Sequence, residues 1–262
     1  MSERSSYPHG VPNWVTCLAN DVDEAAAFYG RVFGWSFEDG GGYALARLRG
    51  REVSGIGPTA AAGSDVVPAW MTEVRVDDVT EAARRAERAG GRVLAGPMDL
   101  SPASLLLVLA DPAGAVFCAT QPGERQGAEL VNEPSAWSMS SLTVPDLAAV
   151  DDFYGDVFGW QREQFGGSSL WRLPGYVGGE PSQPVPRDVV AVGVEGPGEA
   201  RWDVDFWIAD AEAAAAEAVA AGGSVLAAPA EVPGLPFRSA TLADPGGAVF
   251  SVSQLLHQPD AE

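Results

Sequence analysis

The sequence predicts an α+β fold of two tandem domains, each built from two βαβββ units. Three observations predict it: a long internal repeat, apolar spacing that switches between strand and helix periods, and glycines where helices should stop. The repeat is explicit. Phe28-Tyr-Gly-Arg-Val-Phe-Gly-Trp35 returns as Phe153-Tyr-Gly-Asp-Val-Phe-Gly-Trp160. Ala89-Gly-Gly-Arg-Val-Leu-Ala-Gly-Pro97 returns as Ala221-Gly-Gly-Ser-Val-Leu-Ala-Ala-Pro229, and Asp111-Pro-Ala-Gly-Ala-Val-Phe117 as Asp244-Pro-Gly-Gly-Ala-Val-Phe250. The offset is 125 residues at the first pair and 132 to 133 at the others, a net insertion of about seven in the second copy. The Pro/Gly-rich stretch 175–187 is its expected place. The domains are expected over 8–123 and 136–257, with the polar run 124–135 as linker.

Each copy opens with a strand (14–20; 137–144) and an acidic turn. An amphipathic helix follows, in which Ala25, Phe28, Tyr29, Val32 and Phe33 recur at helical spacing. Val150, Phe153, Tyr154, Val157 and Phe158 do the same in the second copy. Gly34 and Gly159 sit just past the helix, where a left-handed backbone favours glycine. Three strands come next. The order then repeats: strand (70–76; 202–209), helix (79–89; 211–221), a Gly-Gly stop and three more strands.

Composition narrows the function. The net charge of −20 argues against nucleic acid, which needs clustered positive charge. The acidity is uneven: residues 1–125 hold 11 Arg against 16 Asp/Glu, residues 126–262 only 5 against 20. The plain consequence is solubility, and the sharper one is attraction of a cationic ligand. No apolar run approaches the roughly 20 residues of a membrane-spanning helix, and the N-terminus lacks a signal-peptide pattern. A cytoplasmic protein with no membrane partner is expected. With Cys17 and Cys118 as the only cysteines, neither a disulfide framework nor a cysteine-rich metal site is expected.

The strand, the helix ending in Phe-Gly-Trp and the closing Asp-Pro-x-Gly-Ala-Val-Phe resemble the vicinal oxygen chelate superfamily. That superfamily contains glyoxalases, extradiol dioxygenases and bleomycin-resistance proteins, and the likeness covers about 12–121 and 135–255. It implies a cupped mixed sheet in each glyoxalase-like domain, with helices on the convex face. It also implies divalent-metal ligands, His and Glu, on the first, fifth and eighth strands. Counting from the helix starts and from Asp-Pro puts those positions at Trp14, Met71 and Cys118, and at Met139, Asp203 and Ser251. The two histidines, His9 and His257, lie outside the repeats. No metal and no cofactor are therefore expected, and no nucleophilic triad, phosphate loop or other catalytic constellation replaces them.

Strand alternation sends Trp14, Thr16, Met71, Glu73 and Cys118 into the first cup, and Met139, Ser141, Asp203, Asp205, Trp207 and Ser251 into the second. Trp171 is a further cup candidate. Trp35, Trp70, Trp160 and Trp202 are assigned to the core. Indole faces, thioethers and hydroxyls with carboxylates at the rim suit a flat aromatic ligand, with or without a positive group. The two-copy plan resembles accessory proteins of actinomycete aromatic-polyketide clusters, those of anthracycline (doxorubicin) biosynthesis in particular. That likeness implies a metal-free binder of such a product, through antibiotic sequestration and resistance or as a biosynthetic accessory. The alternatives are a cofactor-independent enzyme, a hydroxylase component beside a biosynthetic oxidase, or a purely structural protein. A monomer and a homodimer fit the sequence equally.

Overall fold

In the computed structural model, residues 3–63, 66–178 and 186–256 are described, so His257 lies outside the described residues. The first copy runs β1 (Pro12–Ala19), α1 (Val22–Phe33), β2 (Ser36–Asp39), β3 (Ala44–Leu48), β4 (Arg51–Pro58), a short α2 (Thr59–Ala62), β5 (Ala69–Arg75), α3 (Val79–Arg88), β6 (Arg92–Leu100), β7 (Ser104–Ala110) and β8 (Val116–Pro122). The second runs β9 (Trp137–Val144), a 3-10 turn (Leu147–Val150), α4 (Asp151–Phe158), β10 (Gln161–Phe165), β11 (Ser168–Arg172), β12 (Val189–Glu195), β13 (Arg201–Trp207), α5 (Ala211–Ala220), β14 (Ser224–Glu231), β15 (Phe237–Ala243) and β16 (Val249–Leu255).

Each copy folds into one eight-stranded mixed sheet, in the orders β2-β3-β4-β1-β5-β8-β7-β6 and β10-β11-β12-β9-β13-β16-β15-β14. Only β1/β4 and β5/β8, with their counterparts β9/β12 and β13/β16, run parallel. An aspartate starts each main helical segment. The carboxylates of Asp21, Asp78, Asp146 and Asp210 accept backbone N–H groups of the first turn. Gly34 (φ 72°) and Gly159 (φ 79°) close α1 and α4 in the left-handed region. The inserted residues do fall between β11 and β12, across 173–188, where the first copy needs only Arg49 and Gly50. The net seven is a larger insertion partly cancelled by a shorter β12–β13 connection.

The sequence reading assigned the apolar sheet face to helices, and the structure shows that the two copies share those helices. Helix α1 packs against α5, and α3 against α4, with β5 meeting β13 at the centre. One core joins Phe28, Tyr29, Phe33, Trp35 and Trp70 of the first copy to Phe206 and Phe250 of the second. The other joins Phe117 and Leu107 to Phe153, Tyr154, Trp160, Trp171 and Trp202. Hydrogen bonds follow the same exchange. Tyr29 donates to Asp244 Oδ2 at 3.1 Å, and Tyr154 donates to Asp111 Oδ2 at 2.9 Å. Trp70 and Trp202 in turn donate to the two phenol oxygens. The repeated Phe-Tyr-Gly and Asp-Pro motifs are therefore partners across the copies. Each aspartate also accepts the N–H of its own turn, from Ala115 or Ala248.

The second glycine of each Gly-Gly stop has a packing reason as well. A Cβ on Gly91 would stand 2.4 Å from the Phe153 ring and 2.8 Å from Ala110 O; one on Gly223 would stand 2.7 Å from the Phe28 ring and 2.4 Å from Ala243 O. Gly91→Val and Gly223→Val are each expected to destabilise by about 1–3 kcal/mol or more, because backbone oxygens cannot yield. Thermal melts check this, and an unchanged Tm in both would refute the packing account.

Candidate functional site

The two cups are the sheet faces turned away from the helices. Strand register decides which side chains meet there. Antiparallel β1/β5 sets Trp14 opposite Glu73 and Thr16 opposite Met71, and parallel β5/β8 sets Glu73 beside Cys118. In the second cup Met139 lies opposite Asp205, Ser141 opposite Asp203, and Asp205 beside Ser251. The central rows are thus Trp14–Glu73–Cys118 and Met139–Asp205–Ser251. Counting from the helix starts had put Met71 and Asp203 there; both lie one inward-facing step along. Strand register, not distance from the capping aspartate, sets the row: Trp14 stands seven residues before Asp21, whereas Glu73 stands five before Asp78.

The first cup is closed. Glu73 is 8 % exposed, so it forms the floor and not the rim that alternation alone suggested. Its oxygens accept Thr16 Oγ1 at 2.8 Å and Thr120 Oγ1 at 2.6 Å. Burial raises its carboxyl above the ordinary range, against the lowering by those hydroxyls and by Arg125. Burial also pushes the Cys118 thiol well up, helped by Glu73, so this is a buried filler and not a nucleophile. Tyr43, immediately before β3, fills the space above. Its hydroxyl lies 3.1 Å from both Trp14 Nε1 and Thr16 Oγ1. The Arg125 guanidinium covers the Trp14 and Tyr43 rings at 5.1 and 5.8 Å from their centroids. Met71 remains half-buried at the edge of the group.

The second cup is open. Residues of β13 alternate between buried (Trp202, Val204, Phe206) and half-buried (Asp203, Asp205, Trp207), as a sheet with one bare face requires. Asp205 accepts Ser253 Oγ at 2.8 Å and Ser138 Oγ at 2.7 Å. No cationic side chain pairs with it among the described residues. Desolvation pushes its carboxyl up to about 6, although the two serines lower it. Asp203 is already satisfied, by Arg201 Nε and Thr143 Oγ1, each at 3.1 Å. Among the described residues no aromatic ring packs on Trp207. Met139 and Ser251 are half-buried beside Asp205, and Ser141 is half-buried beside Asp203.

Trp171 does not belong to the cup. It is fully buried among Tyr154 and Trp160, and a Cβ on Gly193 would stand 3.0 Å from its Nε1. A register break at the end of β11 accompanies this turn toward the helices. Trp35, Trp70, Trp160 and Trp202 lie in the shared cores. His9 lies at the surface, accepting the Asp77 N–H. Sequence reasoning missed Tyr43, Arg125 and Trp137. Tyr43 had a visible signal, since Gly-Gly-Tyr in the first copy aligns with Gly166-Gly167-Ser168 in the second. Trp137 lines a cavity of about 50 Å³ with Arg4, Tyr7, Met139 and Tyr176. That volume is far below the roughly 300–1,000 Å³ of a typical small-molecule pocket.

The donor sets do not fit the family's divalent metal. Indole, thiol, thioether and hydroxyl flank a single carboxylate in each row, and the hydroxyls already occupy its oxygens. No three of His, Cys, Asp and Glu converge among the described residues. Chelator-free protein is expected to carry no stoichiometric Fe, Mn, Ni or Zn by elemental analysis. About one metal per chain would overturn this.

Known proteins share the architecture. A family model for a glyoxalase-like domain matches twice, over residues 14–120 and 139–253. The protein named "Putative glyoxylase CFP32" of Mycobacterium tuberculosis is 36 % identical over 96 % of this chain and 97 % of its own length. Anthracycline biosynthesis protein DnrV of Streptomyces peucetius is 32 % identical over 95 % of this chain and 94 % of its own. Among solved structures, the Mn(II)-bound glyoxalase of Novosphingobium aromaticivorans superposes with a TM-score of 0.66 at 16 % identity, covering 96 % of this chain and 84 % of that one. The 2,3-dioxygenase LapB of Pseudomonas sp. KL28 gives 0.65 at 14 %, covering 98 % and 97 %. No helix among the described residues is long and apolar enough to cross a membrane. With both copies matched and full-length relatives above 30 % identity, this chain belongs to the glyoxalase-like family of the vicinal oxygen chelate superfamily.

Proposed function

We propose that the chain is a metal-free binding protein for a planar aromatic natural product carrying a positive group, an accessory to aromatic-polyketide biosynthesis or to antibiotic sequestration. One observation carries the reading: on the open cup, Asp205 is a desolvated carboxylate without a cationic partner among the described residues, two residues from the half-buried Trp207. An indole face can take the flat body of a ligand while the carboxylate takes its ammonium. The similarity to DnrV, named for anthracycline biosynthesis, supports a ligand of this class. Asp203, the carboxylate that sequence alone favoured, already bonds to Arg201 and Thr143 and serves the sheet instead.

The test is a titration of intrinsic fluorescence with an anthracycline, its uncharged aglycone and simple naphthoquinones. Saturable quenching at micromolar or lower concentration, strongest for the cationic compound, is expected. A flat response across the panel would refute the reading. One observation favours a second reading, that of a cofactor-independent enzyme. A carboxyl titrating near 6 on an open face is suited to moving a proton at neutral pH. Consumption of the ligand by the protein alone, abolished in Asp205→Asn, would replace binding by catalysis.

A further inference from the structure

The tenant of the first cup describes the site it occupies. Tyr43 follows directly on the turn Gly40–Gly41–Gly42, closed by Gly40 N–H to Tyr43 C=O at 2.8 Å, with Gly41 and Gly42 at φ 79° and 93°. From there its ring lies across Gly55 and Gly57 on β4. A Cβ on Gly55 would sit 1.9 Å from the Tyr43 hydroxyl, and one on Gly57 3.3 Å from the ring. Neither glycine has a left-handed backbone that would require the residue type. The ring is the reason for both.

The second copy supplies a control inside the same chain. Thr16 pairs with Gly55 in β1/β4, and the corresponding Ser141 pairs with Val192 in β9/β12. The cup-facing positions are therefore Gly55 and Gly57 in one copy, Val192 and Val194 in the other. The hairpin residue changes with them, from Tyr43 to Ser168. Ring and slot occur together in the first copy and are both absent from the second.

The polar end of the slot has a fixed hydrogen-bond direction. Thr16 has one hydroxyl proton, and Glu73 accepts it. Thr16 Oγ1 can then only accept from the Tyr43 hydroxyl, whose oxygen accepts from Trp14 Nε1. The slot thus presents one donor and one acceptor to a single hydroxyl, at the end of a flat channel capped by the Arg125 guanidinium. That is the recognition pattern of a phenol.

We propose that this slot is a second ligand site, specific for a hydroxylated aromatic ring, which Tyr43 holds closed in the free protein and a phenolic ligand opens by replacing it. The site is independent of Asp205 and does not rest on the reading of the second cup. Because the closed form cannot bind, apparent affinity is reduced by the fraction of molecules in which Tyr43 is out. Weakening the tenant should raise affinity in a set order.

The experiment titrates the wild type, Tyr43→Phe and Tyr43→Ala with 4-methylphenol, the severed tyrosine side chain, and with toluene, by calorimetry and tryptophan fluorescence. Affinity for 4-methylphenol is expected to rise from the wild type through Tyr43→Phe to Tyr43→Ala, by about tenfold or more across the series. Toluene should bind Tyr43→Ala about tenfold more weakly than 4-methylphenol does, since it leaves the indole N–H and the threonine oxygen without partners. Equal affinity in all three proteins would overturn the proposal, as would tightest binding by the wild type, which would make Tyr43 a wall of the site. Toluene matching 4-methylphenol would overturn the phenol specificity. If Tyr43→Ala does not fold, the comparison of wild type with Tyr43→Phe decides by the same order. The series varies Tyr43 alone and uses uncharged probes, so failure here and failure of the second-cup reading are separate results.

Discussion

Residues 1–125 produced alone are expected to give no folded monomer. The half-chain would carry Phe28, Tyr29 and Phe33 without Phe206 and Phe250, and Phe117 without Phe153, Tyr154 and Trp202. Each buried aromatic contributes about 1.5–3 kcal/mol, so losing the cover of several exceeds the roughly 5–15 kcal/mol by which a domain is stable. Tyr29 and Asp111 would also lose their hydrogen-bond partners in the other copy, Asp244 and Tyr154. Two outcomes satisfy the expectation. The fragment stays unfolded until residues 126–262 are added, or it pairs with itself and reproduces the exchange with a second copy of Asp111 in place of Asp244. Circular dichroism with sedimentation distinguishes them. A folded, soluble monomer of 1–125 would refute the shared-core account.

Asp205→Asn is expected to reverse two properties at once. Its carboxyl is held near 6 in the folded protein, above the ordinary 3.8, so the native state binds a proton more readily than the unfolded chain does. Stability therefore falls as pH rises from about 4 through about 6 and levels off above. The variant lacks this penalty and should be more stable than wild type by about 1–3 kcal/mol at neutral pH, with the difference vanishing below pH of about 4. Binding should change in the opposite direction. A cationic aromatic should lose about tenfold or more in affinity, while its uncharged aglycone is nearly unaffected. In the wild type the same cation should bind progressively more weakly below pH 6, where Asp205 takes up its proton. The loss should persist at high salt, because a desolvated pair is screened little. Equal weakening of charged and uncharged ligands would assign Asp205 to the sheet alone.

The exchange between copies explains why part of this protein was legible and part was not. The first and fifth strands of each copy and the helices that follow them came from local signals: alternation in β13, helical spacing from Ala25 to Phe33, aspartates that cap and glycines that stop. These depend on neighbours a few residues away, and the repeat confirmed each reading with a second instance. The family likeness rested on the same short motifs, and the matches over both copies bear it out. The floor of the cups was not legible in this way. Whether Glu73 or Met71 stands beside Trp14 depends on where two strands align, and a register shift of two residues exchanges them while keeping the same face. Trp171 carried no local mark of the side it would take.

The sequence by itself determined the two-copy α+β architecture, the order of its elements and the inward- and outward-facing residues of the first, fifth and eighth strands of each copy. Only the tertiary structure decided which copy's helices cover which core, that Asp205 and not Asp203 lacks a cationic partner among the described residues, and that Tyr43 fills one cup while the other stays open. The physical reason is one of range. Periodicity, capping and turn chemistry act within a turn or two of chain, whereas partner choice for a buried carboxylate or ring is set by groups such as Ser253, Thr120 and Arg125, tens of residues away and brought near only by register and docking.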